Sequence, residues 1–473
     1  MLVLGVDSST QSTKAVLVDA DDGTVLASRC APHPPGTEVD PRAWLNAVDT
    51  ATDGLLERAA AVAVAGQQHG LVALDSAAEP VRPALLWNDT RSAPQARALV
   101  AELGGPAACA AALGSVLVAS FTATKLRWLA ENEPDNAARV ARVLLPHDYV
   151  SAHLAAPGTP VFTDRGDASG TGYFDAVAGA WREDLLVAAL GHGAELPVVV
   201  PSHTAAGATG AGAVLAAGTG DNMAAALGLG LSGDDVLVSI GTSGVASTVA
   251  ADPVADPTGA VTGFADAAGG YLPLVATINA VEILGLPERL LGVDHEQLAD
   301  LALSAAPGAG GLGVSPYYGG ERTPDLPHAT GTWAGLSPAT SRADVARAAV
   351  EALLCSLAEA TDALTAQTGQ DPQRVILVGG GSANRAVQVL APAILDRQVL
   401  VAEPGEHVAR GAARQAAWAL SGRSSPPDWP LPVHLPPGRQ PTPDAEQRAD
   451  GAEVRRRYAA LRERLGPAGL AGP

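Results

Sequence analysis

Aromatic side chains are scarce in this chain, 4% of 473 residues, so a core that is 47% hydrophobic by composition must be built from Ala, Val and Leu. Cysteine is scarcer still. Cys30, Cys109 and Cys355 are scattered, odd in number and without a CxxC pair, which excludes a disulfide framework and predicts buried, reduced thiols in a cytoplasmic protein. Basic residues are also few, 30 against 50 acidic ones, for a formal charge of −20. That balance excludes nucleic acid as a partner, because phosphate backbones need clustered Lys and Arg. No targeting segment is visible, since "MLVLGVD" lacks a basic start and reaches Asp7 before any signal-length apolar run. The most apolar region, 205–233, carries Asp221 and Asn222 near its middle. An aspartate there would cost a membrane helix on the order of 3 kcal/mol, so no membrane partner is expected.

Several catalytic motifs are missing. No GK[ST] occurs, "HEQLA" at His295 lacks the second histidine of a zinc HExxH, and nothing has GxSxG spacing. P-loop ATPase, zinc protease and serine hydrolase readings fall away. GxGxxG matches at Gly228–Gly233 and Gly308–Gly313 neither follow a strand nor open a helix, as a dinucleotide site requires.

What is present starts with length, which predicts two or more domains. "LGVDSSTQSTKAVLVD" (4–19) reads as two short strands, Val3–Val6 and Ala15–Val18, around a hydroxyl-rich turn. A strand at Ala61–Ala65 leads into "GQQHG", and helical patterns appear around Phe121–Glu131 and at 213–229. Near 235 the opening pattern restarts as "DVLVSIGTSGVASTVA". Setting Thr10 against Thr242 aligns the two hairpins without a gap and puts Ser239 where Asp7 stands. A duplicated domain that kept its acid only in the first copy is one reading, and chance the other. Ser341, Asp344 and Gly369 bracket a long helix, "RVILVGGGSANR" is a strand followed by a glycine turn, and a Pro-rich stretch precedes a charged helix over 445–466. Strands alternating with helices predict α/β with mixed sheets.

Three turns of small residues follow strands: Ser8–Thr13, Gly241–Gly244 and Gly379–Ser382. Each could present backbone N–H groups to an anion or be a plain tight turn. By its residues alone, Asp221 is a base or a helix cap. Asp7 is a functional carboxylate or a turn aspartate, and Lys14 a phosphate contact or an exposed strand lysine. His69 and Trp87 are ligand-facing residues or structural ones.

With those residues in view, the chain resembles the FGGY family of carbohydrate kinases over nearly its whole length. Two signature stretches carry the likeness, "SFTATKLRWLAEN" (120–132) and "GTWAGLSPATSRADVARAAVE" (331–351), with "YGGERTP" (318–324) and "VGGGSANR" (378–385) beside them. The resemblance implies an α/β, two-domain actin/Hsp70-like (ribonuclease H-like) ATPase fold with a duplicated core, a cleft between domains and hinge closure upon sugar. It implies an N-terminal domain over 1–231, a C-terminal nucleotide domain over 232–423, and a Pro-rich segment with helical tail over 424–473. "AGQQHG", "PALLWNDTR", "LLPHDY", "TDRGDASGT" and "AGTGDNMAAALG" resemble one branch of the family and imply D-xylulose as the sugar. Ribulose, gluconate, fuculose or glycerol, and a non-catalytic ATP or sugar sensor, are the alternatives. Glycerol-phosphorylating members carry an Arg–Glu pair at Gln68–His69. Many members of the branch have Met at position 68, and most of the family has Gly at position 9.

The resemblance assigns roles residue by residue. Asp221 is the general base toward the sugar's primary hydroxyl, a weak one at an ordinary carboxylate pKa of ~3.9. Asp7 is catalytic and orients Mg²⁺ through water. Gln68, His69, Trp87, Asn88, Asp89 and Asn222 bind the sugar, with Asp164 and Asp167 nearby. Thr10, Gln11, Lys14, Gly241 and Thr242 meet the phosphates of ATP, and Gly380, Gly381 and Asn384 border its adenosine. Common dimerisation among relatives leaves a homodimer open.

Overall fold

The computed structural model describes residues 1–436 and 442–470. The chain forms two compact units, each discontinuous in sequence. The first takes Met1–Leu231, Val249–Pro273 and Pro404–Leu431; the second takes Ser232–Thr248, Leu274–Glu403 and the described residues from Pro432 onward.

In the first unit the opening hairpin pairs Leu2–Ser8 with Ser12–Asp19, in register from Leu2↔Asp19 to Ser8↔Thr13. Ala61–Gly66 lies parallel to the first strand. The sheet runs in the order Val25–Pro32, Ser12–Asp19, Leu2–Ser8, Ala61–Gly66, Val214–Ala216, Ala205–Ala208. Its middle strands are apolar without alternation, as strands covered on both faces must be. The second unit repeats the plan: Tyr271–Thr277, Gly244–Thr248, Asp235–Ile240, Arg374–Val378, Gln398–Ala402, Val433–His434. The sense of each pairing is the same in both sheets, antiparallel, antiparallel, parallel, parallel, antiparallel.

The gapless alignment of the hairpins needs correcting. Four residues separate the paired Ser8 and Thr13, but three separate Ile240 and Gly244. The return strand of the second copy is therefore shifted by one residue, which exchanges the faces its side chains occupy. The helical expectation for 213–229 also holds only in part. Val214–Ala216 and Thr219–Gly220 are strands, and the helix is Asp221–Gly228. Gly218, at φ +74°, breaks the run, and the free edge of Ala61–Gly66 recruits the strands on either side of it. Cys109 and Cys355 are buried, but Cys30 is exposed because it lies in the outer strand Val25–Pro32; all three are free thiols.

The helix Arg342–Thr368 has the expected capping box at Ser341 and Asp344 and a left-handed Gly369 at its end. The charged helix Ala445–Leu470 kinks at Gly466. Of the Pro-rich stretch, residues 437–441 lie outside the described residues; Trp429 is buried in the first unit, its indole N–H donating to Ala20 O at 3.0 Å. Among the described residues no single helix is long and apolar enough to cross a membrane.

The scarcity of large side chains sets how the first unit packs. Helix His407–Ser421 presses Ala409, Ala412, Ala413 and Ala416 onto Val3, Val16, Ala61 and Ala63 of the sheet. A Cβ on Gly411 would strike the backbone of Ala224 and Gly228, and one on Gly5 the backbone of Ala409 and Ala413. Arg410 and Arg414, both buried, donate to the carbonyls of Gly228 and Leu227 and close the C-terminus of the helix that Asp221 opens. Gly→Ala inside an exposed helix normally stabilises. Here Gly411→Ala should instead cost about 1–3 kcal/mol through overpacking and lower the melting temperature. A calorimetric scan showing an unchanged or higher Tm would contradict the close approach.

Candidate active site

Both candidate catalytic carboxylates are delivered by neighbours of one strand. Asp7 lies opposite Ala65 on one side, and Thr219 and Gly220 lie opposite Ala65 and Gly66 on the other. With strands spaced about 4.8 Å, Asp7 and Thr219 have Cα atoms about 10 Å apart across Ala65. Asp221 follows at once as the first residue of its helix, whose N-cap is Gly220. Its Oδ1 accepts from its neighbour's backbone, Asn222 N at 2.7 Å, and from Asn222 Nδ2 at 3.0 Å.

Burial pushes the Asp221 carboxyl up to about 7, helped by the charges of Asp7 and Asp167 and opposed by the Asn222 hydrogen bonds. Part of the side chain is still open to solvent. The expectation of an ordinary aspartate is thus corrected, and the cause is removal from water. Asp7 is 3% exposed, and burial pushes it to about 6; a 2.5 Å bond from the Ser9 hydroxyl and the charge of Lys14 pull it down, while Glu406 pushes it up. Ser9, standing where most of the family has Gly, is therefore a donor to Asp7, and its N–H closes the turn on Ser12 O at 3.0 Å. No motif in the chain marks this pair in advance.

Asn222 Nδ2 also donates to Gln68 Oε1 at 2.8 Å, and Gln68 Nε2 is buried with no hydrogen-bond partner among the described residues. His69 sits at φ +68°, a strained backbone for a non-glycine residue. Its Nδ1–H donates to Gly170 O at 2.7 Å, its carbonyl accepts from Thr122 Oγ1, and its ring lies 5.1 Å from Phe121 and 5.4 Å from Phe264. Phe264 comes from beyond the second hairpin, yet it belongs to the first unit. No local pattern could have paired it with His69.

Trp87 is 40% exposed, which removes the reading of it as core, and its Nε1–H donates to Thr10 Oγ1 at 2.9 Å. Asn88 is exposed. Asp89 is buried and engaged by Thr37 and by the backbone and guanidinium of Arg91; those bonds outweigh burial and hold it below the usual range. Asp164 and Asp167 are fully buried, so neither can touch a sugar. Gln11 is exposed at the tip of the turn. Lys14 is neither free nor simply exposed, since it pairs with Glu406 at 2.6 Å. The chain has only one other lysine, Lys125, fully buried, whose ammonium caps the carbonyls of Ala119, Ser120 and Phe121. An Arg fork would not fit three carbonyls at that spot, whereas a compact ammonium does.

In the second unit, Gly241 N donates to Ser243 O at 3.1 Å and its carbonyl accepts from Val281 N; Thr242 is exposed at the turn tip. Gly379, at φ +92°, and Gly381 pass so near Ile240 that a Cβ on either would collide with it, while Gly380 is exposed with open space around it. Asn384 is buried and caps helix Arg385–Leu395 through Ala386 N at 2.9 Å and Val387 N at 3.2 Å. Its side chain is occupied by that role.

The raised pKa of Asp221 has a stability consequence. Folding favours its protonated form, so the stabilisation is present at low pH and lost as pH rises through about 7. Asp221→Asn should therefore raise Tm at pH 8 by about 1–3 °C, with the gain shrinking as pH falls and vanishing only near the ordinary aspartate value of 3.8. The same Tm as the unsubstituted protein at pH 8 would overturn the assignment.

The comparisons with known proteins give the family. Residues 2–231 match the N-terminal domain of the FGGY family of carbohydrate kinases, and 236–420 its C-terminal domain. The chain is 46% identical over 440 residues to a xylulose kinase of Streptomyces coelicolor, covering 90% of this chain and 89% of that one. It is 44% identical to a xylulose kinase of Streptomyces rubiginosus, covering 89% and 88%. The crystal structure of xylulose kinase from Bifidobacterium adolescentis superposes with a TM-score of 0.88 at 42% identity, over 96% of this chain and 99% of that one. The mixed α/β architecture is the actin/Hsp70-like one of these kinases, and the chain belongs to the FGGY family of carbohydrate kinases.

Proposed function

We propose that this chain transfers the γ-phosphoryl group of ATP to the C5 hydroxyl of D-xylulose, with Asp221 as the general base. One observation carries the reading. A carboxylate raised to about 7 opens a helix beside a second buried carboxylate and is bonded through Asn222 to Gln68. Two relatives that bear the name xylulose kinase, at 46% and 44% identity, support the choice of sugar.

The chemistry follows from the residues. As the sugar oxygen forms its bond to the γ-phosphorus, its proton passes to the Asp221 carboxylate. The bond from γ-phosphorus to the bridging oxygen breaks, and ADP leaves with the electron pair. At neutral pH a base titrating near 7 is free in about half the molecules and is far stronger than an ordinary aspartate. The Asn222 bonds keep the carboxylate from turning, so attack starts from an aligned geometry. Gln68, fixed through its Oε1 by Asn222 Nδ2 at 2.8 Å, and His69 are assigned to the sugar's hydroxyls. The exposed face of Trp87 lies against the sugar's carbon face.

Thr10, Gln11 and Lys14 on one hairpin, and Gly241 and Thr242 on the other, are assigned to the nucleotide's phosphates. Gly380 and Gly381 offer a bare backbone to the adenosine, and Asn384 fixes the helix that follows. Among the described residues no three His, Cys, Asp or Glu side chains gather to hold a metal by themselves. Asp7 offers a single carboxylate, and Mg²⁺ takes one or two carboxylates and otherwise phosphate and water oxygens. Asp7, through water, would hold it, and bound Mg²⁺ supplies charge neutralisation on the phosphates.

Two tests follow. Release of ADP across a panel of ketoses and polyols should be fastest with D-xylulose, and Asp221→Ala should lower kcat by roughly 10²–10⁴ while leaving the KM for ATP alone. Rapid turnover of another polyol with little on D-xylulose would refute the sugar assignment and keep the family; normal kcat in Asp221→Ala would refute the base. The pH profile of kcat/KM should fall on its acid side between about 7 and 6 as the two carboxylates protonate. The Ser9 hydroxyl lowers the pKa of Asp7, so Ser9→Ala should move that limb to higher pH by ~0.5 unit. A shift in the opposite direction would contradict the Ser9–Asp7 pairing.

A further inference from the structure

The segment "TDRGDASGT" (163–171) stands in the sequence as a motif with no task in the mechanism above. Its two aspartates are fully buried, and with His147 and Asp148 they form an ionisable cluster closed to solvent. Such a cluster is an expensive thing to place in a core, because each charge loses its hydration.

Its contacts have a direction. Asp164 caps the short helix Arg165–Ala168 with one oxygen, accepting from Asp167 N at 2.9 Å, and with the other accepts from Thr219 Oγ1 at 2.8 Å. Thr219 is two residues before Asp221. Asp167 pairs with His147 at 2.6 Å; a Cβ on Gly218 would meet the His147 ring, and one on Gly66 would meet the Cβ and backbone of His147. Gly170 O holds His69 Nδ1 at 2.7 Å. Ser169 Oγ accepts from Ala265 N at 3.0 Å, next to Phe264, whose ring packs on His69. One seven-residue stretch, Asp164–Gly170, thus reaches the strand that delivers Asp221 and also the side chain assigned to the sugar. Thr219–Gly220 pairs with Ala61–Gly66 at just two residues. So short a parallel ladder fixes direction weakly, and the side-chain bond to Asp164 supplies the missing restraint.

Resting on the kinase reading above, we propose that Asp164–Gly170 is a positioning strut that locks the base and the sugar-recognition histidine into one frame, and that Asp164 acts on Asp221 through the hydroxyl of Thr219. Asp164 and Thr219 are positioning residues, remote from the reacting atoms.

The test uses the full chain and whichever sugar the unsubstituted protein phosphorylates best. Thr219→Val keeps the shape and removes the hydroxyl. It should lower kcat about 10–100-fold, the cost of a base displaced by a fraction of an ångström, with KM for ATP unchanged. Thr219→Ser, which keeps the donor, should stay within about threefold of the unsubstituted rate. Asp164→Asn has one acceptor oxygen for two donors and should lose activity to a similar degree. It decides the matter if Thr219→Val does not fold. The discriminating measurement is non-additivity: in an Asp221→Ala background, Thr219→Val should reduce the residual rate no further. A further loss as large as in the unsubstituted protein would mean a general structural role and overturn the proposal, as would a Thr219→Val kcat within twofold of normal. If the unsubstituted protein released no ADP with any ketose or polyol, the kinase reading itself would have failed, and that control separates the two failures.

Discussion

Two carboxylates that repel each other flank the end of one buried strand, and most of what surrounds them offsets that repulsion without abolishing it. Asp7 and Asp221 each raise the energy of the other's charge, and both have lost much of their water. The protein answers with short-range donors: the Ser9 hydroxyl on Asp7, and both the backbone and side chain of Asn222 on Asp221. Lys14 would be the obvious neutralising cation, being directly opposite Asp7 across the hairpin, but Glu406 holds its ammonium at 2.6 Å. The pair is therefore left under-compensated. That condition suits the base role proposed for Asp221, and it lowers stability near neutral pH.

Holding such a pair requires rigidity, which this chain achieves without aromatic bulk. The backbone of helix His407–Ser421 meets the first strand at Gly5 and the Asp221 helix at Gly228, at distances that forbid a side chain. Alanine fills the remaining interface. Close backbone approach replaces large interlocking side chains, and the tolerance for change is correspondingly small. Arg410 and Arg414 reinforce it from the far end by occupying carbonyls that a helix C-terminus leaves open. The catalytic helix is held at its start by the Asp164–Thr219 contact and at its end by two guanidinium groups.

Features governed by local rules were legible in the sequence. The two hairpins, the capping box at Ser341 and Asp344, the stop at Gly369 and the placement of Asp221 at a helix start all follow from turn chemistry or periodicity over a few residues. Features governed by distant contacts were not. Nothing in "GEHVARGAARQ" says that this helix covers the sheet begun by Leu2–Ser8, and nothing around Phe264 says that its ring will meet His69. The strands hidden in 213–229 looked helical because small apolar residues suit either structure, and the open edge of Ala61–Gly66 decided the matter. The pKa of Asp221 was illegible for the same reason, since its causes are burial by the surrounding fold and then the charges of Asp7 and Asp167.

The repeated plan bears on the two ligands of the proposed reaction. In both sheets the first strand has the same parallel neighbour, and the loop leaving that neighbour's end has diverged completely. In the first unit it is Gln67-Gln68-His69, rich in side chains that donate and accept in fixed directions. In the second it is Gly379-Gly380-Gly381, with no side chains at all. A sugar with a hydroxyl on nearly every carbon is distinguished by directional hydrogen bonds, and under the proposed function the amides and imidazole of the first loop, with its left-handed backbone at His69, would supply them. A nucleotide can be held through backbone groups and apolar stacking, for which a bare chain that lets it come close is the better surface. The acid followed the same division. Asp7 and Asp221 belong to the copy whose loop is proposed to select the alcohol, and the equivalent of Asp7 in the other copy is Ser239, a residue that adds no charge where phosphates would have to bind.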